Sequence, residues 1–174
     1  GLSVFVVDMR DVKGNLDIQL LDIMMNHHTT TVFFEDVEVP AANLIGEEGR
    51  GFRYIIDGWN VERILVASEA IGDGRWFIER ASRYATNRVV FGRPIGANQG
   101  IQFPIAKAYA HIEAPDLMRF NAASKFDLGE KCGAEANMAK LLASEAPWEA
   151  ADVCMSTYGG YGFARDYDIE RKFR

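Results

Sequence analysis

Glu62 and Arg63 stand next to each other near the start of a long helical pattern. The segment that follows the pattern, Asn87 to Gln99, gathers Arg88, Phe91, Gly92, Arg93, Gly96 and Gln99. A carboxylate on the apolar-rich first turns of a helix is open to two readings. It is a helix-start charge favoured by the helix dipole, or a general base held in a partly dry pocket. The segment after the helix carries guanidinium groups and backbone amides beside glycine, which are the parts needed to hold a pyrophosphate. Its spacing fits neither the dinucleotide fingerprint nor the Lys-Ser/Thr phosphate loop, so an ordinary interhelical loop stays open beside the phosphate reading. The Gly159-Gly160-Tyr161-Gly162 turn has the same two sides, because a glycine pair caps a helix and also lets a flat ligand approach the backbone. With three histidines, and His111 in mid-helix away from any nucleophile, no Ser/His/Asp or Cys/His set is present.

The elements that must position these residues divide near residue 50. Residues 1 to about 45 read as strands over Leu2–Val7, Leu16–Leu20 and Thr30–Phe34 running into Val37–Pro40, with Gly14-Asn15 as a turn signal. Strands this few cannot hide both faces and belong to a larger sheet. From Gly51 onward the pattern is helical. Ile64, Leu65, Ile71, Ile78, Ala81 and Ala85 recur at helical spacing, which predicts a first helix to about Asn87. A second is predicted from Gln99 to Leu128 with Pro104 in its first turn, a third from Ala134 to Tyr158, and a fourth from about Asp166. Gly72 and Gly74 inside the first helix point to close approach by a neighbour, and Pro115 and Pro147 predict kinks. The expected fold is mainly α: an antiparallel helix bundle over residues 51–174, preceded at 1–50 by the end of a β-domain.

Bulk properties narrow the function. With 48% hydrophobic and 25% charged residues the composition is that of a globular domain, and no apolar run reaches the length of a membrane span. A formal charge of -6 provides no general attraction for nucleic acid or anionic membrane. Cys132 and Cys154 are too few and too widely spaced for a disulfide framework or thiolate metal site, and His27 and His28 have no ligand partners at metal spacing. Without an initiator Met at one end or a stop signal at the other, the chain reads as cut at both ends.

Several ordered motifs carry a resemblance. Thr31–Pro40 followed by Asn43–Phe52, then Glu62-Arg63, then Arg88-Val89-Val90-Phe91-Gly92 with Gln99, then Gly159–Phe163 and Glu170-Arg171, together resemble the acyl-CoA dehydrogenase family, flavoenzymes that introduce a double bond between the α and β carbons of acyl-CoA thioesters. The resemblance implies the end of a middle β-domain and most of a C-terminal four-helix bundle that drives formation of a homo-oligomer, a dimer or tetramer. It implies that FAD is the cofactor and that Arg88, Phe91 and Gln99 reach the FAD of a neighbouring subunit. Gly159 and Gly160 would form the other part of that contact. Where relatives commonly carry Gln three positions before the glycine pair, this chain has Ser156. The family places its catalytic glutamate at one of two positions. Glu62 occupies one, and the other lies just beyond Arg174.

The implied chemistry is abstraction of the α-proton by Glu62 while the β-hydrogen leaves as hydride to flavin N5, with Arg63 on the substrate side. A thioester base needs its pKa raised by an apolar pocket, and donors to the carbonyl must stabilise the enolate. The implied partners are an acyl-CoA substrate and an electron-transferring flavoprotein, in fatty acid metabolism. The expected compartment is the cytoplasm, with the mitochondrial matrix as the alternative. An acyl-CoA oxidase-like flavoenzyme and a non-catalytic relative whose bundle serves assembly are the rival readings. Residues 1–174 alone are expected to bind FAD weakly and turn nothing over.

Overall fold

The computed structural model describes residues 1–24 and 28–174, so His27 lies outside the described residues. Two compact units emerge, residues 1–58 with Arg174, and residues 59–173.

The first unit holds four short strands, β1 (Val4–Phe5), β2 (Lys13–Leu21), β3 (Thr29–Glu38) and β4 (Leu44–Ile45). They pair antiparallel as two ribbons, β1 with β4 and β2 with β3. The Gly14-Asn15 pair is not a turn. It lies within β2, where the register slips between Lys13 and Asn15. Gly14 takes a φ of +116°, and a Cβ there would stand 2.4 Å from the Asp36 carbonyl oxygen. Glycine therefore permits a bulge with backbone against backbone, a signal the sequence shares with a turn. At the end of the unit Gly46 is forced by Tyr54, whose ring a Cβ would strike at 2.4 Å, while the Tyr54 hydroxyl accepts a hydrogen bond from the Glu47 amide.

Helix α1 (Gly51–Asn87) opens with its Gly51 amide donating to the Leu2 carbonyl oxygen at 2.8 Å. It is followed by a two-stranded hairpin, β5 (Val89–Val90) and β6 (Arg93–Pro94), then by α2 (Gln99–Asp127), α3 (Gly133–Tyr158), a 3-10 turn over Gly159–Phe163 and α4 (Ile169–Phe173). These bounds follow the apolar periodicity closely, and the mainly helical fold expected from sequence is the one observed. Pro104 falls in the second turn of α2, so its missing amide leaves the Gly100 carbonyl without its usual helical donor. Pro115 and Pro147 both sit within uninterrupted helices, buried in the core.

The second unit is an up-down-up bundle. Side-chain contacts pair Arg75 with Glu113 and Asp116, and His111 with Glu149, so α2 runs antiparallel to both α1 and α3. Its core is built from small residues: Ala67, Ala81, Ala108, Ala139, Ala143, Ala150 and Ala151, with Ile71, Phe77, Ile112 and Ile169 filling between them. Of the residues expected on the apolar face, Ile71, Ile78, Ala81 and Ala85 are buried, whereas Leu65 is exposed. The helices meet most closely at Gly74, where a Cβ would stand 2.2 Å from Ile112 Cδ1 and 3.2 Å from Pro147 Cα. Gly72 has open space instead, so only one of the two glycines answers to a neighbour.

Beside this contact, Arg75 Nη2 donates to Asp116 Oδ2 at 2.8 Å and Arg119 Nε donates to Asp116 Oδ1 at 2.6 Å. Burial pushes the Asp116 carboxyl up, but the two guanidinium groups outweigh it and hold the group below the usual aspartate range. Both cysteines are buried, and burial pushes the Cys154 thiol up to about 12, which makes it an inert core group.

Two predictions follow from packing and charge. Gly74→Ala is expected to destabilise the protein by about 1–3 kcal/mol through overpacking, while Gly72→Ala stabilises it by up to about 1 kcal/mol through helix propensity. Urea unfolding of the two variants measures the contrast, and equal effects would refute the packing role. Asp116→Asn is expected to cost about 2 kcal/mol at neutral pH. Because the folded pKa is depressed, this stability is fully present above the unfolded value of about 3.9 and disappears as pH falls through the folded value. The difference from wild type should therefore close as pH falls below the usual aspartate range in acid-unfolding curves.

Candidate functional site

The candidate residues fall at two ends of the bundle. At the first, Trp59, Glu62, Arg63 and Val66 on α1 and Lys140 on α3 line an open groove of about 330 Å³. Arg63 Nη1 donates to Asn60 Oδ1 at 3.2 Å, and its guanidinium carbon lies 5.8 Å from the Trp59 ring centroid. Arg63 is thus held on its own helix, pinned along one turn. Glu62 faces solvent, and among the described residues it enters no hydrogen bond or ion pair. Only Trp59 and Val66 supply apolar wall, so these residues give the carboxylate a charged, wet setting and not the enclosed one a thioester base requires.

At the second end the chain turns back through the β5–β6 hairpin. Phe91 and Gly92 both take positive φ, +54° and +78°, the signature of a type I′ turn between two antiparallel strands. Gly suits that turn and Phe does not, since a bulky residue in the left-handed region is strained. The Phe91 side chain is fully exposed, at 101% of its reference area, so nothing in this chain compensates the strain. Arg93 Nη2 donates to Asn98 Oδ1 at 2.7 Å, and Asn98 Nδ2 donates to the Ile95 carbonyl at 3.0 Å. That arginine is committed to shaping the loop. Gln99 begins α2 just after it, exposed to solvent.

Arg88 behaves differently from Arg93. Its guanidinium carbon lies 5.5 Å from the centroid of the Tyr161 ring, which joins the hairpin to the glycine turn. Within that turn each glycine has its own cause. Gly159 has φ +59° and ψ −131°, a combination reserved for glycine, and its amide caps α3 by donating to the Met155 and Ser156 carbonyls. A Cβ on Gly160 would meet nothing within 4 Å, so its backbone stays open to approach. Gly162 is sterically required, because a Cβ would stand 2.8 Å from the Met155 carbonyl oxygen.

An aromatic cluster that periodicity did not single out supports this end. Tyr84 stacks on Tyr158 with centroids 3.8 Å apart, and Tyr167 meets Tyr84, Tyr158 and Tyr161 edge-on. Burial raises the hydroxyl pKa of both Tyr84 and Tyr158, which keeps the stack neutral. The signal available in the sequence was the placement of Tyr84 four residues before Arg88, one turn below it. Glu62 and the end of α1 at Asn87 are about 37 Å apart at a rise of about 1.5 Å per residue. The structure thus joins Arg88 to the Gly159-Gly160 turn but separates both from Glu62. Among the described residues no group of three or more His, Cys, Asp or Glu could hold a metal, and no helix is long and apolar enough to cross a membrane.

The bundle carries its two groups of candidate residues at separate ends. Comparison with known proteins gives it a family. The model of the acyl-CoA dehydrogenase C-terminal domain matches residues 49–174, and the chain belongs to the acyl-CoA dehydrogenase family. It is 45% identical over 177 residues to an acyl-CoA dehydrogenase of Bacillus subtilis, covering 100% of this chain and 46% of the relative. It is 34% identical to the caffeyl-CoA reductase-Etf complex subunit CarC of Acetobacterium woodii, again over 100% of this chain and 46% of the relative. Among solved structures, that of PigA with FAD and proline superposes with a TM-score of 0.92 at 25% identity, covering 98% of this chain and 45% of that one. The chain spans about half the length of the curated relatives it matches.

The strained tip of the hairpin gives a prediction. Phe91→Asn is expected to raise stability by about 1 kcal/mol, since asparagine tolerates the left-handed region and no packing is lost. A thermal melt checks this, and a destabilised variant would mean that Phe91 packs on something in solution.

Proposed function

We propose that the protein containing this chain is an FAD-dependent acyl-CoA dehydrogenase, and that the chain supplies parts of two different sites in an oligomer. One observation carries the reading. An unsupported Phe91 at a strained hairpin tip, beside the Arg88–Tyr161 contact and the open Gly160 backbone, forms a polar and aromatic edge directed away from the chain's own core. The groups fit one end of a dinucleotide: a guanidinium for the diphosphate, open backbone for close approach, and a free ring for stacking. Gln99 at the head of α2 would add an amide. With Glu62 about 37 Å away along α1, a single dinucleotide site cannot use both ends of one chain. The separation supports what the resemblance to the family implies, that the Arg88 end serves the FAD of a second copy in a homo-oligomer.

At the other end Glu62 takes the α-proton of the acyl-CoA thioester onto a carboxylate oxygen, with Arg63 on the substrate side. Bound FAD supplies the acceptor for the hydride that leaves the β-carbon. Occupation of the groove by the acyl chain would displace water from around Glu62 and supply the dry setting that a thioester base requires. The reoxidation partner that fits is an electron-transferring flavoprotein, in line with the name of the Acetobacterium relative. The same name favours a second reading, in which the reaction runs toward reduction and Glu62 donates the proton to the α-carbon.

The test is Glu62→Gln in the holoprotein. Flavin should remain bound and yellow while its anaerobic bleaching by acyl-CoA thioesters falls about 100- to 10,000-fold. Unchanged bleaching would return Glu62 to the role of a surface helix carboxylate. Oxidation of reduced flavin by an enoyl-CoA, faster than bleaching by the saturated thioester, would favour the reductive direction.

A further inference from the structure

Arg88 is pinned on both sides of its peptide unit: its amide donates to the Tyr84 carbonyl at 2.8 Å and its carbonyl accepts from the Ile95 amide at 2.8 Å. Only its side-chain torsions remain free, and those end against the Tyr161 ring at 5.5 Å, inside the distance at which a guanidinium is attracted to a π face. The contrast with the other arginines of the bundle is informative. Arg75 and Arg80 spend their N–H groups on carboxylates, and Arg93 spends one on Asn98. Among the described residues Arg88 has no carboxylate partner. A ring holds the guanidinium by its charge and leaves the N–H donors unspent, whereas a carboxylate would occupy two of them.

The Tyr161 ring is itself fixed. The Ala164 amide donates to the Tyr161 carbonyl at 3.1 Å, and Gly162 seats the turn against the Met155 backbone. Tyr167 meets the Tyr161 ring edge-on with centroids 5.7 Å apart, and through Tyr167 the ring connects to the Tyr84–Tyr158 stack. The position of the ring is therefore set by α1, α3 and the turn together, not by the turn alone.

We propose that Tyr161 is the positioning residue of Arg88: its ring presets the guanidinium with its donors free, so that the diphosphate of a dinucleotide meets an arginine already in place. Presetting lowers the cost of ordering a long side chain on binding. The inference rests on the reading of the Arg88 end as an FAD contact, and it adds a residue whose contribution acts only through Arg88.

The experiment is a double-mutant cycle on FAD affinity, measured by flavin fluorescence as the full-length apoprotein is titrated with FAD. The variants are Arg88→Gln, Tyr161→Leu, their combination, and Tyr161→Phe, with thermal melts of each apoprotein alongside. Tyr161→Leu is expected to raise the FAD Kd roughly two- to fivefold, and Tyr161→Phe to leave it unchanged because the π face remains. In the Arg88→Gln background, Tyr161→Leu should raise it no further. A Tyr161→Leu effect of equal size in both backgrounds, or none in either, overturns the proposal while leaving the FAD contact of Arg88 standing. An FAD Kd that Arg88→Gln does not change overturns the contact itself and the proposal with it. If Tyr161→Leu lowers the apoprotein melting temperature, Tyr161→Met takes its place, and the same comparison between backgrounds decides.

Discussion

The close meeting of three helices at Gly74 is the constraint on which the bundle depends. Ile112 from α2 and the Pro147 backbone from α3 converge on Gly74, a position of α1 that has no side chain. Around it the interface is alanine: Ala67, Ala81, Ala108, Ala139, Ala143 and Ala150 are all essentially buried. Small residues let helix axes approach, and close axes leave no volume for adjustment, because interiors packed to crystal density respond to a single added methyl. The Arg75–Asp116–Arg119 group lies beside this contact and fixes the register of α1 against α2 in a partly buried setting where each guanidinium satisfies one carboxylate oxygen.

A rigid bundle converts sequence distance into spatial distance. Because α1 runs unbroken from Gly51 to Asn87, Glu62 and Arg88 are fixed at opposite ends, and no loop movement brings them together. The separation bears on how the two ends can be used. A monomer would need two separate ligands, one at each end, whereas an oligomer can bring the Glu62 end of one copy to a site completed by the Arg88 end of another.

Much of this was legible in the sequence, and what was not has physical causes. Helix bounds were legible because apolar periodicity and the breaks at Gly129–Gly133 and Gly159–Gly160 act locally. The role of Gly14 was not, since a bulge and a turn both call for positive φ and differ only in what the opposing strand does. Gly72 and Gly74 are the same residue two positions apart, yet they point to different faces of the helix, and only the partner helices decide which is crowded. Leu65 counts toward the apolar pattern but lies outside the buried face. The charged setting of Glu62 depends on Lys140 and so on the pairing of α1 with α3, which periodicity cannot show. The two arginines of the hairpin looked equivalent, but Arg93 is bound within its own loop and Arg88 reaches another.

The hairpin tip shows how local rules and function separate. Asn-Gly would satisfy the turn between β5 and β6, and the chain has Phe-Gly. Strain of this kind persists where the surrounding structure over-determines it or where the residue is retained for something outside the fold. The first cause is absent, because the Phe91 side chain touches nothing in its own chain. The second remains, and it agrees with the neighbouring arrangement, in which Arg88 is steadied by a ring that leaves its donors free and Gly160 leaves its backbone uncovered. Three departures from what stability alone would select thus occur at one end of one bundle. All three leave groups uncovered that the alanine core does not use, and the stability of the bundle accounts for none of them.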